Sequence, residues 1–138
     1  MIDLENCKRT KSIKEVKPDE ELIKSLLESS ENKSNSEEQL KLTKITASSK
    51  ISLSYDSLRE LLEALALKKG FKIYNHECYY ALLNEVLEEL DFAERFDELR
   101  KIRNSVNYYG KIPSIEETKL TLENIKKLKK EINNKFIR

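Results

Sequence analysis

Along most of this chain apolar residues recur at steps of three and four, the spacing of one helix face. One stripe is Ile51, Tyr55, Leu58, Leu62 and Leu65, with Ala64 and Ala66 beside it. Others are Tyr79, Leu82, Leu83, Val86 and Leu90; Phe92, Phe96, Leu99, Ile102, Val106 and Tyr109; and Ile115, Leu122, Ile125, Leu128, Ile132 and Phe136. Breakers are sparse, since Pro18, Gly70, Gly110 and Pro113 are the only glycines and prolines. Strands need turns and turns need such residues, so the pattern predicts an all-α chain. Ser36 with Gln39, Asp91 with Glu94 and Ser114 with Glu117 have the form of capping boxes, and Asn75 is a fair N-cap before His76. Gly70 and Gly110 stand where helices end. Five helices follow, over about 19–32, 36–69, 76–90, 92–109 and 115–136. Short links near 30–36, 71–75 and 111–114 make neighbours antiparallel. The expected architecture is an antiparallel up-and-down four/five-helix bundle over residues 18–138. Residues 1–17 are mixed and polar, and are expected to form a partly mobile N-terminal segment.

Composition narrows the class. A chain of 138 residues is one domain by length, large enough to fold without a metal or a disulfide. The charged fraction is 37% and the apolar fraction 38%, and grouping of the apolar residues argues against disorder. Cys7 and Cys78 lie far apart, in neither a disulfide framework nor a zinc spacing, and fit a reducing compartment. No long apolar run and no signal-peptide pattern is present, so a soluble cytoplasmic protein that does not enter the membrane is expected. The net charge of +1 is unevenly placed. From Arg100 to Arg138 there are 11 Lys or Arg against 4 Asp or Glu, a balance of +7, while residues 1–99 balance at −6. Such asymmetry steers a polyanion to one end, or lets two copies or an acidic partner dock.

Much chemistry is excluded. Two glycines cannot build a glycine-rich phosphate loop, and no zinc motif is present. His76 lies two residues from Cys78, poor geometry for a pair on one helix face, and is expected to be a structural or surface residue. The carboxylates from Glu77 to Glu98 read as solvated faces. The stretch RKIRNSVNYYGKIPS, residues 100–114, is the informative one. Arg103 falls at the edge of its apolar stripe, beside Leu99 and Val106. Asn104 falls on the polar side, with Arg100 a turn before and Asn107 and Tyr108 a turn after. With Lys101, Tyr109 and Lys111 these are the candidate nucleotide or nucleic-acid contacts: guanidinium forks fit phosphate and tyrosine rings stack on bases. Basic residues at a helix C-terminus also simply complement its dipole, and the residues alone leave both readings open. The same holds for Lys126, Lys127, Lys129 and Lys130.

Three stretches resemble HEPN domains, the small helical domains of prokaryotic toxin–antitoxin and RNA-defence systems: YDSLRELLEALALKKGFK (55–72), YNHECYYALL (74–83) and LRKIRNSVNYYGK (99–111). The resemblance covers roughly residues 36–136. It implies a bundle that dimerises, takes no cofactor or metal, and binds or cleaves RNA. The family motif is Arg, a polar residue that is often Asn, a few residues and then His. Arg103 and Asn104 match, and Tyr108 stands where the histidine falls. By resemblance Arg103 holds a phosphate, Asn104 orients it, and Tyr108 occupies the acid/base position. A minimal nucleotidyltransferase is the implied antitoxin partner. In some pairs it modifies a tyrosine two residues past the histidine, a position that here is Gly110, with Tyr108 and Tyr109 as near neighbours. Two readings follow. One is the toxin-side component of a toxin–antitoxin or nucleotidyltransferase-associated system acting on RNA. The other is a non-catalytic nucleotide-, RNA- or protein-binding helical dimer.

Overall fold

A computed structural model describes residues 2–137. The chain is an all-α helical bundle with a minimal two-stranded ribbon. In order, the elements are α1 (Leu4–Arg9), β1 (Ile13–Glu15), α2 (Glu20–Gln39), α3 (Ala47–Lys68), β2 (Phe71–Ile73), a 3₁₀ turn (His76–Cys78), α4 (Tyr79–Ala81) running into a π turn (Leu82–Val86), α5 (Leu90–Tyr108) and α6 (Ile115–Ile132), which ends in a second π turn (Asn133–Ile137). Helix α3 is central, packing against α2, α5, α6 and β2. Its stripe of Ile51, Tyr55, Leu58, Leu62 and Leu65 is fully or almost fully buried, as the periodicity predicts. Among the described residues no helix is long and apolar enough to cross a membrane.

Several boundaries differ from the sequence reading. The expected break near 30–36 is absent, and α2 runs through Ser34, Asn35 and Ser36, so Ser36 caps nothing. Polar side chains there are tied to α3 instead: Ser30 Oγ donates to the Ser57 carbonyl at 2.5 Å and Ser29 Oγ to Glu60 at 3.1 Å. The break falls at 40–46, where Thr43 and Thr46 exchange bonds, each backbone N–H donating to the other's Oγ1 at 2.9 and 3.1 Å. Buried Lys50 closes the end of α2, its ammonium donating to the carbonyls of Glu37 at 2.8 Å and Leu40 at 2.5 Å. The expected helix over 76–90 is short and irregular, because Leu87 N–H reaches back five residues to the Leu82 carbonyl and Glu88 turns the chain at φ 55°. Helix α5 therefore begins at Leu90, so Asp91 does not cap it. Leu90, Ile102 and Tyr109 leave the core stripe and are 50, 39 and 82% exposed. The caps at Asn75 and Ser114 form as expected, accepting from Glu77 N and Glu117 N at 3.0 Å each. Gly70 and Gly110 adopt φ 85° and 68°.

The N-terminal residues are built into the fold. β1 pairs antiparallel with β2, Ile13 opposite Ile73 and Glu15 opposite Phe71, so the segment expected to be a loop at 71–75 contains a strand. Val16 N–H extends the pairing to the Gly70 carbonyl at 2.8 Å. The cysteines expected to be reduced and separate are bonded: Cys7 of α1 joins Cys78, both fully buried, with Cα atoms 6.1 Å apart. Folding, rather than sequence spacing, brings together positions 71 residues apart.

Candidate phosphate site at Arg103

Helix α5 turns Arg103 inward rather than along the edge of its stripe, leaving the residue 7% exposed. Three elements meet its guanidinium. From α5 itself, Tyr108 accepts a hydrogen bond at its hydroxyl from one terminal nitrogen at 2.9 Å. From the 3₁₀ turn, His76 Nδ1 lies 2.9 Å from the other terminal nitrogen. From α3, the Tyr55 ring lies beneath, its centroid 4.4 Å from the guanidinium carbon, while the Tyr108 ring stands at 5.3 Å. The Nε of Arg103 is buried with no partner.

A guanidinium only donates, so His76 Nδ1 is an acceptor here and the ring is neutral with its proton on Nε2. The Tyr55 hydroxyl approaches the same lone pair at 3.3 Å. Burial, reinforced by the charges of Arg59, Arg103 and Arg100, pushes the His76 pKa down to about 4. Burial likewise raises that of Tyr55, against the pull of Arg103, so it is a neutral phenol.

Arg103 differs from the arginines near it. Arg59 pairs with Asp56 and Glu63, Arg95 with Asp91 and Glu131, and Arg100 with Asp97. Among the described residues no carboxylate pairs with Arg103; aromatic faces, a phenol oxygen and an imidazole lone pair hold it instead. A buried cation without a counter-charge is costly, and a bound anion offsets that cost.

The other predicted contacts are placed differently. Arg100 Nε and Lys101 Nζ lie 3.0 and 3.3 Å from the two oxygens of Asp97, a buried carboxylate that neutralises part of their charge. Lys111 pairs with Glu117 at 3.0 Å, and exposed Asn107 accepts from Ser52 Oγ at 2.8 Å. Tyr109 is exposed, whereas Asn104 is partly buried and its Oδ1 has no partner. The structure therefore joins Arg103 to Tyr108 and adds Tyr55 and His76, which sequence reasoning had put in the core and on the periphery. His76 lies 27 residues from Arg103, so no local spacing relates them. Compared with protein-family models, curated proteins and solved structures, the chain finds no match.

Proposed function

We propose that this chain is a HEPN-like RNA-binding domain whose Arg103 takes a backbone phosphate, as the toxin-side component of a toxin–antitoxin or nucleotidyltransferase-associated pair. The observation that carries the reading is the buried guanidinium with no carboxylate, enclosed by Tyr55, His76 and Tyr108. A phosphate entering beside it exchanges the bonds to Tyr108 and His76 for stronger charge-assisted ones. That exchange frees the Tyr108 hydroxyl and the His76 Nδ1 lone pair together. The added negative charge also raises the basicity of His76, reversing part of the effect of the neighbouring arginines.

In metal-independent cleavage His76 Nδ1 then takes the proton of a ribose 2′-hydroxyl. The 2′-oxygen attacks phosphorus, and Arg103 stabilises the pentavalent phosphate. The bond to the 5′-oxygen breaks, and Tyr108 protonates that leaving oxygen. The products are a 2′,3′-cyclic phosphate and a 5′-hydroxyl, and solvent returns the proton from His76 to Tyr108. Asn104 carries a second unsatisfied polar atom, consistent with orienting the ligand. Two copies meeting through α5 would join two such pockets, in keeping with the exposed Ile102, Tyr109 and Ile112 nearby.

The binding-only reading has its own support. In the free protein the lone pair of His76 is occupied and its pKa near 4 makes it a weak base. Incubation of RNA with the wild type and with Arg103→Ala separates the cases. Cleavage reduced about a hundredfold or more by the substitution is expected for catalysis. Salt-sensitive binding without cleavage assigns the module to binding alone. Equal behaviour of both proteins removes Arg103 from the site.

A further inference from the structure

The segment Lys8–Lys17 holds Lys8, Arg9, Lys11, Lys14 and Lys17 against Glu15 alone, a local balance of +4 inside the acidic part of the chain. The fold gathers three of these cations. Lys8, Lys11, Ile13, Lys14, Glu15 and Tyr74 line an open hollow of about 540 Å³, within the size range of nucleotide-scale sites. Lys11 adopts φ 60°, a turn held by its N–H to the Lys8 carbonyl at 3.1 Å and by Ser12 N–H to the Cys7 carbonyl at 2.9 Å. Lys8 is partly engaged, 3.9 Å from Glu15 and over the Phe71 ring. Lys11 and Lys14 are exposed and make no ion pair among the described residues. Tyr74 is 61% exposed, while its backbone N–H is fixed to the Ser12 carbonyl at 2.8 Å.

Two connections relate the hollow to the Arg103 pocket. Tyr74 lies two residues before His76, an extended reach of no more than about 7 Å between their Cα atoms. The Cys7–Cys78 bond fastens α1 to the turn that carries His76. A cationic hollow with an exposed ring, next to a phosphate pocket, has the elements of a single-strand track: lysines on the backbone and an aromatic platform for a base. An acidic protein segment would use the lysines but has no base to stack on Tyr74.

We propose that Lys11, Lys14 and Tyr74 form a second surface, continuous with the Arg103 pocket, that binds the nucleotides flanking the phosphate held there. This rests on the RNA reading of that pocket. It places substrate recognition partly in an N-terminal hook, residues 8–17, outside the stretches that resemble HEPN domains, with Tyr74 as the contact that lies within them.

The test is fluorescence anisotropy on the full chain, with a diribonucleotide and a single-stranded oligoribonucleotide about ten residues long. Lys11→Glu with Lys14→Glu should weaken oligonucleotide binding tenfold or more and flatten its salt dependence, leaving dinucleotide binding unchanged. Tyr74→Ala should weaken the oligonucleotide about fivefold or more. Circular dichroism of each variant verifies folding, and Lys11→Gln with Lys14→Gln is the milder pair if charge reversal disturbs it. Unchanged oligonucleotide binding by folded lysine variants overturns the hook, while loss of dinucleotide binding in Arg103→Ala keeps the pocket. The reverse pattern keeps the hook and removes the pocket. Indifference to Tyr74→Ala, with a polyglutamate peptide competing as well as RNA, overturns the hook in favour of an acidic protein surface. Failure of the wild type to bind either RNA removes both.

Discussion

His76 is the chain's single histidine, so one imidazole resonance reports the site. Its pKa falls from the ordinary 6.5 to about 4, so the unfolded chain binds more protons than the folded one between those values. Stability from this group is complete above pH 6.5 and fades as pH drops toward 4. Allowing for solvent screening of a half-buried ring, the loss is about 1.5 kcal/mol. Titration by NMR should show a pKa near 4 in the free protein. It should rise modestly in Arg103→Ala, since burial is the larger cause and remains, and should rise on adding RNA. A free-protein pKa near 6.5 would mean that the ring is neither buried nor bound to Arg103. The sequence singled out Arg103 and Asn104 by their place in a basic, aromatic helix end. The inward turn of Arg103 was not legible there, because an arginine at a stripe's edge gains solvent by snorkelling unless aromatic rings accept it. Tyr55, 48 positions earlier and read simply as core, supplies that acceptance.

At the scale of elements, the sequence located α6 and the stripe and C-terminal end of α3 well, because their apolar stripes are long, but it began α3 at 36 rather than at Ala47. The end of α2 was misplaced for a definite reason. Serines and asparagines at 34–36 favour a break locally, but a helix whose Ser29 and Ser30 are bonded to its neighbour continues through them. The true end depends on Lys50, from the next helix, whose ammonium satisfies two terminal carbonyls and lies 3.6 Å from buried Glu37 Oε2. Lys50→Met should lower the unfolding free energy by about 3 kcal/mol in urea titrations, since it strands the Leu40 carbonyl and a buried carboxylate, while the Glu37 carbonyl keeps the Leu40 N–H at 3.1 Å. Adding Glu37→Gln should recover part of that loss. A Lys50→Met protein as stable as the wild type would show that water serves the helix end equally well. The ribbon escaped the sequence reading because strands of three residues are too short to show a period, and their partners lie on opposite sides of two long helices.

At the scale of the whole molecule, the Cys7–Cys78 bond changes what residues 7–78 are: a covalent ring rather than an open thread. Closing a loop of this size removes about 4 kcal/mol of unfolded-chain entropy in the simple polymer account. The ring contains α2, α3 and the hook, while α5 and α6 lie outside it. A single cut at the exposed Lys44 or Ile45 of the linker at 40–46 would therefore not release an amino-terminal fragment. Limited proteolysis there should leave one species on a non-reducing gel and two on a reducing gel, and two species without reductant would mean that the bond is absent. In the nicked protein the ends of α2 and α3 are new termini, yet the hook keeps its place beside His76. The molecule tolerates a break in its backbone without losing its connectivity, as a padlocked chain survives the failure of one link.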